Sequence, residues 1–273
     1  MAHSTESRNP RSFGLDHMSA REIVRLMNEE EQVVLRALVD AEEGIAVAIE
    51  HAAEAYRGGY RIIYVGAGTS GRIATMDAAE MPPTFGTDPS RFVAVHAGGT
   101  GAQGKAVEDA EDSDVAAVQD LNELAVTRGD VVFGLAASGR TPYVLAAIRH
   151  ARAKGLWTCG ISNNAAAPLL TVAEHSILLA TGPEVLTGST RLKAGTAQKL
   201  VLNRISTGAM VLSGKVIENL MVDVKAKNEK LKERCVRIVR DLTTVTEDEA
   251  RELLDRNDWN VRRVLDLLRT PTA

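Results

Sequence analysis

The sequence predicts an α/β protein in which a five-stranded parallel sheet lies between two layers of helices. Five short runs, Arg61–Val65, Phe92–His96, Asp130–Leu135, Trp157–Ile161 and Ser176–Ala180, alternate with helical stretches. Such alternation produces parallel strands joined by crossover helices. The runs are mostly apolar throughout, as strands covered on both faces must be. The first and third lead through glycine-rich turns straight into helical segments.

The elements follow in order. Residues 1–14 read as a polar arm. Ser19-Ala-Arg-Glu22 is a capping box, and Ile23, Leu26 and Met27 after it have helical spacing. A second helical stretch runs from about Glu31 to Tyr56. The five strands come next, and one long helix from Thr190 to about Val216 closes the main domain. Lys225–Glu233 reads as a charged linker. Thr246-Glu-Asp-Glu249 is a second capping box, followed by two or three short helices expected to pack round Trp259. That tail resembles a ubiquitin-associated-type bundle, with a packing or dimer-contact role. The expected division is an N-terminal arm and helices over 1–51, a catalytic domain over 52–218, and a linker with a small helical region over 219–273.

Composition narrows the function. The chain has 273 residues, 45% of them hydrophobic and 25% charged, enough for one sizeable core and a small appendage. A net charge of -4 and 4% aromatic residues argue against nucleic acid as a partner. Cys159 and Cys235 have no metal-ligand spacing, and a disulfide between them is not expected. None of the six histidines has metal-ligand spacing either, so each reads as a surface or packing residue. No signal peptide and no membrane-length apolar run is visible, and the expected location is the cytoplasm.

Two loops carry the chemistry. Residues 61–72 read Arg-Ile-Ile-Tyr-Val-Gly-Ala-Gly-Thr-Ser-Gly-Arg: a strand, a glycine turn, then a helix start. Free N–H groups and the helix dipole make such a turn an anion site. Gly68, Thr69, Ser70 and Gly71 are its candidate ligands, with two hydroxyls among them. The glycines also match the dinucleotide pattern G-x-G-x-x-G. That pattern expects an acid at the end of the next strand. His96-Ala-Gly-Gly99 stands there instead, which favours a sugar phosphate over NAD. The second loop, Ala137-Ser-Gly-Arg-Thr-Pro142, supplies Ser138, Gly139, Arg140 and Thr141, with Thr141 and Pro142 suited to N-cap and N1. Parallel strands end on one edge, so both loops can grip one phosphate there. The pattern alone does not select catalytic carboxylates. Glu80 is expected to close its helix before Met81-Pro82-Pro83, and Glu111 lies in an acidic run that reads as solvated.

These loops resemble the sugar isomerase (SIS) domain. The longer strings Gly66–Arg72 with Asp77-Ala-Ala-Glu-Met-Pro-Pro-Thr-Phe85, Ala106-Val-Glu-Asp-Ala-Glu-Asp-Ser113, Ala137–Tyr143 and Gly188-Ser-Thr-Arg-Leu-Lys-Ala-Gly-Thr-Ala-Gln-Lys199 are similar to the N-acetylmuramic acid 6-phosphate etherase family. The likeness covers about residues 5–235. It implies cleavage of the D-lactyl ether of that sugar phosphate in bacterial cell-wall recycling, giving N-acetylglucosamine 6-phosphate and D-lactate without metal or cofactor. It also implies Glu80 as proton donor and Glu111 as a base or essential second carboxylate. An SIS aldose–ketose isomerase and a non-catalytic sugar-phosphate regulator are the competing readings. Glucokinase regulatory protein is the relative considered for the second.

Geometry adds one more expectation. Nine residues separate Gly71 from Glu80, which in a continuous helix is about 14 Å. One sugar ring does not comfortably span that gap. Either the helix is short and turns back at Pro82-Pro83, or Glu80 serves the site of a second copy. SIS relatives pair with their sites near the interface, so a homodimer with a shared active site is expected.

Overall fold

Ser19 Oγ accepts from the Glu22 N–H at 3.4 Å while Glu22 accepts from the Ser19 N–H at 2.7 Å. This reciprocal cap starts α1 (Ala20–Asp40) where the sequence predicts. The computed structural model describes residues 4–269 other than 103, 106, 108, 225 and 227. The helix expected from Glu31 to Tyr56 is two. The chain turns at Ala41, and α2 (Glu42–Arg57) follows. Neither proline nor glycine stands at Ala41, so tertiary packing sets this break; Leu38 and Ile45 on either side of it are both buried.

The remaining elements run β1 (Ile62–Gly66), α3 (Gly68–Phe85), β2 (Phe92–His96), α4 (Asp114–Glu123), β3 (Val131–Leu135), α5 (Pro142–Ala153), β4 (Trp157–Ser162), α6 (Leu169–Val172), β5 (His175–Leu178) and α7 (Lys193–Leu212). The long helix thus starts and stops a few residues inside its expected Thr190–Val216 bounds. After it come β6 (Val216–Ile217), β7 (Leu220–Met221), α8 (Glu229–Leu242), α9 (Glu247–Asp255) and α10 (Val261–Arg269).

The first five strands form one parallel sheet in the order β2-β1-β3-β4-β5. Strand alternation sorts the side chains. Ile63, Val65 and Val132 point into a core shared with Leu121, Tyr143, Val144 and Ile148 of α4 and α5. On the other face Tyr64 donates to buried Asp77 of α3, 3.1 Å away. Asp77 also accepts from Asn203 (2.8 Å) and Ser206 (3.1 Å) of α7. Burial pushes the Asp77 carboxyl above its ordinary range, although all three bonds oppose that shift. The result is the three-layer α-β-α arrangement predicted from the sequence.

The chain forms two compact units. The first comprises residues up to 78 and 90–209; the second comprises 79–89 and 210–273. In the second, α8, α9 and α10 enclose a core of aliphatic side chains, among them Val239, Leu254, Val261 and Val264. Two expectations need correction there. The charged run expected to be a linker over Lys225–Glu233 enters helix at Glu229, capped by Asn228, whose Oδ1 accepts from the Leu231 N–H at 2.9 Å. Its apolar Leu231, Cys235, Val236, Ile238 and Val239 have helical spacing and pack inward, which outweighs the charges on the outer face. Lys225 and Lys227 lie outside the described residues. Trp259 is not the hub of the bundle but a half-buried residue on its rim, with Lys232 Nζ 5.0 Å from the ring centroid.

Pro82 and Pro83 do not end α3, which continues to Phe85. A proline ring fixes φ near the helical value, so the chain stays helical at the cost of two hydrogen bonds. Gly86, at φ 64°, then closes the helix by donating to the Pro82 carbonyl at 3.0 Å.

One buried ion pair fixes the start of the sheet. Asp130, just before β3, accepts from the Arg61 backbone N–H (2.9 Å), Arg61 Nη2 (2.6 Å) and the Thr127 N–H (2.8 Å). Burial works against the charged carboxylate, but these bonds outweigh it and hold Asp130 below the usual carboxylate range. A lowered folded-state pKa adds stability above the unfolded value, and that stability fades as pH falls through the folded value. Asp130→Asn is therefore expected to cost about 2–4 kcal/mol at pH 7. Urea unfolding should show this gap narrowing below about pH 4; a gap independent of pH would contradict the assignment.

Candidate active site

After β1 the chain crosses to β2 on one side, and β3 then joins β1 on the other. The strand order therefore switches between β1 and β3, where open α/β sheets bind ligands. Gly66 and Leu135, the last residues of these strands, are paired neighbours. Both candidate loops begin there, on one edge of the sheet.

The first loop is a backbone-to-backbone contact. A Cβ on Gly66 would lie 2.8 Å from the Gly71 nitrogen. One on Gly71 would lie 2.8 Å from the Gly66 oxygen and 1.9 Å from His96 Cδ2. Gly68 has φ 53°, a left-handed conformation that suits glycine. These constraints put Gly68, Thr69, Ser70 and Gly71 in the first turn of α3, where the N–H groups of Gly68, Thr69 and Ser70 lack intrahelical partners, while that of Gly71 donates to the Ala67 carbonyl at 3.2 Å. The hydroxyls of Thr69 and Ser70 have no hydrogen-bond partner among the described residues. His96, the last residue of β2, is buried against this turn, and its Nε2 donates to the Gly68 carbonyl at 3.2 Å. It occupies the strand end where a dinucleotide-binding fold carries an acid.

The second loop joins β3 to α5. Gly139 has φ 65°, and a Cβ there would lie 2.2 Å from that of Ala167. Ser138 Oγ accepts from the Arg140 N–H at 3.3 Å, which leaves its proton to donate elsewhere. Thr141 is the N-cap and Pro142 the first residue of α5, as predicted, but the Thr141 hydroxyl makes no capping bond. The Arg140 side chain is exposed and has no ion pair among the described residues.

Gly68 shares a cleft of about 240 Å³ with Arg72, His96, Asp109 and Glu111. Glu111 is exposed, in a short 3-10 turn over Ala110–Asp112. Asp109 before it is left-handed at φ 65°, rare for a residue with a side chain. Ala106 and Glu108 of the same string lie outside the described residues. Glu80 is exposed on α3, in the part that belongs to the second unit. The structure thus brings Gly68 and Glu111 to one cleft and sets the two loops at neighbouring strand ends.

Sequence reasoning missed Arg72 and His96 on the cleft, and a polar network at the start of α7. There Glu184 caps the helix by accepting from the N–H groups of Lys193 (3.1 Å) and Ala194 (2.9 Å). Buried Lys193 reaches Glu30 of α1 at 2.5 Å, and Glu30 also accepts from Asn9 at 2.7 Å. With its first N–H groups taken by a carboxylate, α7 does not offer the anion site that α3 and α5 do. Lys193 lies in the 188–199 string, which was the available signal. Its partner is 163 residues away and gives none.

Comparison with known proteins agrees with this architecture. Residues 44–152 match the glucokinase regulatory protein N-terminal SIS domain, and 114–205 match the SIS domain. Residues 218–271 match the C-terminal lid domain of glucokinase regulatory protein. Among solved structures, the phosphoheptose isomerase of Neisseria gonorrhoeae aligns at TM-score 0.51 and 19% identity, covering 69% of this chain and 98% of that one. The Vibrio vulnificus NanR protein complexed with ManNAc-6P aligns at TM-score 0.50 and 16% identity, covering 75% and 68%. These two likenesses bear on the fold alone. The N-acetylmuramic acid 6-phosphate etherase of Geobacillus thermodenitrificans is 49% identical over 265 residues, 97% of this chain and 90% of that protein. That of Salmonella typhi is 50% identical over 258 residues, 94% and 87%. With near-complete coverage at that identity, the chain belongs to the N-acetylmuramic acid 6-phosphate etherase family.

Proposed function

We propose that this protein is a carbon–oxygen lyase that cleaves the D-lactyl ether of N-acetylmuramic acid 6-phosphate, releasing D-lactate and N-acetylglucosamine 6-phosphate. The reading rests on family membership, and one structural observation supports it most: a carboxylate, Glu111, shares a cleft with Gly68 of an uncapped helix N-terminus. The reaction serves recycling of the bacterial cell wall. Sugar phosphates are charged and do not diffuse across bilayers, so the enzyme works in the cytoplasm. Among the described residues no helix is long and apolar enough to span a membrane.

The chemistry asks for two carboxylates and no cofactor or metal. Opening the sugar ring exposes an aldehyde and makes the proton at C2 acidic. Glu111 takes that proton, the C3–oxygen bond breaks, and Glu80 protonates the departing ether oxygen. Water then adds at C3. General acid and base steps of this kind contribute roughly 10²–10⁴-fold each. The phosphate is held by Gly68, Thr69, Ser70 and Gly71 with Ser138, Gly139, Arg140 and Thr141, and it contributes remote binding energy that positions C2 and C3. Residues 52–218 hold this machinery in our reading, with 1–51 and 219–273 as flanking regions.

The working unit in this proposal is a homodimer with shared sites. Glu80 is exposed among the described residues, and a carboxylic acid that serves as proton donor needs a drier setting, which a second copy would supply. The unbroken α3 removes the option that the helix turns back before Pro82. Exposed Leu35 and Val39 of α1 flank an apolar groove against α2, the kind of patch that association covers.

Ser138→Ala is expected to raise KM about 10-fold or more through one lost charge-assisted bond, with kcat changed less. Unchanged KM there and in Ser70→Ala would remove the case for this phosphate site. Glu80→Gln should lower kcat about 10²–10⁴-fold with Tm retained; near-full D-lactate release would exclude Glu80 as the acid. Mixing Glu80→Gln with Ser138→Ala under subunit exchange, assayed at low substrate, tests sharing. Half the dimers would be mixed, each with one intact site, so about a quarter of wild-type activity should return. No recovery despite proven exchange would refute the shared site.

A further inference from the structure

We infer that Arg72 is a positioning residue that fixes the Glu111-bearing segment to the start of α3. The inference rests on the role proposed for Glu111.

The chain between β2 and α4 has little regular structure to hold it. Among the described residues it forms only two 3-10 turns, Thr100–Ala102 and Ala110–Asp112. A base in such a segment is no better placed than the segment's tethers. Arg72 provides one. It sits directly after Gly71, and its Nη2 donates to the carbonyls of Ala102 (3.1 Å) and Lys105 (2.9 Å). One guanidinium nitrogen carries two protons in a fixed plane, so it spans two carbonyls at a set angle. Gly98 provides the second tether. A Cβ there would lie 3.1 Å from that of Ala102 and 3.2 Å from those of Val107 and Ala110. Three side chains therefore converge on a glycine surface. Ala110 packs onto the main core, and Glu111 is the next residue.

The path runs from the phosphate loop through Arg72 to Ala102, across Gly98 to Ala110, and so to Glu111. All of these lie in the first unit, and Arg72, Ala102, Ala110 and Glu111 line one cleft. The same helix turn that offers N–H groups to an anion thereby sets the location of the base. Without Arg72, two carbonyls lose their donor, and what is left among the described residues is the packing at Gly98 and of Ala110 on the core.

The test combines amide hydrogen exchange with steady-state kinetics on the full chain. In Arg72→Ala, peptides spanning 97–113 should exchange at least about 10-fold faster while peptides from β3 and β4 keep their protection, which separates local loosening from misfolding. D-lactate release should show kcat reduced by about 10–100-fold with KM changed less than about threefold, the signature of a misplaced group. Added guanidinium should restore part of kcat, and Arg72→Lys should fall between the two proteins. Unchanged exchange over 97–113 would overturn the inference whatever the rate. So would a large rise in KM with kcat and exchange intact, since Arg72 would then be a ligand contact. Loosening with full kcat would also overturn it. In that case Glu111→Gln tells where the fault lies: if it too keeps kcat, the role given to Glu111 is wrong.

Discussion

The site depends on a strand end and a helix start that touch through their backbones. At Gly66 and Gly71 neither residue has room for a Cβ, and His96 fills the space beside Gly71. That contact lets α3 begin within two residues of β1. A longer turn would carry the first N–H groups of α3 away from the switch point between β1 and β3. The second loop repeats the solution with a left-handed Gly139 packed on Ala167. The sheet supplies the framework: Asp130 and Arg61 tie the start of β3 to the start of β1, so the opposite ends of those two strands arrive in register.

Helix starts at this edge are put to different uses. Those of α3 and α5 have no side-chain cap, which leaves them free for an anion. That of α7 is closed by Glu184, in a network with Lys193, Glu30 and Asn9 that joins the N-terminal arm, α1 and α7. Burial works against the Glu30 carboxylate, but Lys193, Asn9 and Arg11 outweigh it and keep its pKa below the usual range. A buried pair of this kind is costly to break from one side. It reads as a lock on structure, whereas the open starts of α3 and α5 read as recognition.

Much of this was legible in the sequence because it is local. Glycine spacing, capping boxes and short apolar runs state their own conformations, and the strands fall within one or two residues of expectation. The misses share a cause in tertiary packing. The charges of Lys225–Glu233 mask an apolar stripe that makes α8 amphipathic. Pro82 and Pro83 looked like a helix end, though α3 runs on through both. Asp77 has no role that its local pattern announces, because its partners Tyr64, Asn203 and Ser206 come from other elements. Arg72 likewise stood in the first loop, but its acceptors Ala102 and Lys105 are backbone carbonyls, which no side-chain pattern announces. Of the site, the loops were visible as chemistry, while Glu80 and Glu111 came through family resemblance alone.

The central claim is that the ether breaks at sugar C3 by elimination, followed by addition of water at the same carbon. Its most direct measurement is turnover of N-acetylmuramic acid 6-phosphate in H₂¹⁸O with mass analysis of both products. Elimination and addition predict ¹⁸O at C3 of N-acetylglucosamine 6-phosphate and D-lactate that keeps its original ether oxygen. Label in the lactate hydroxyl with none at C3 would mean cleavage on the lactyl side, and would contradict the account.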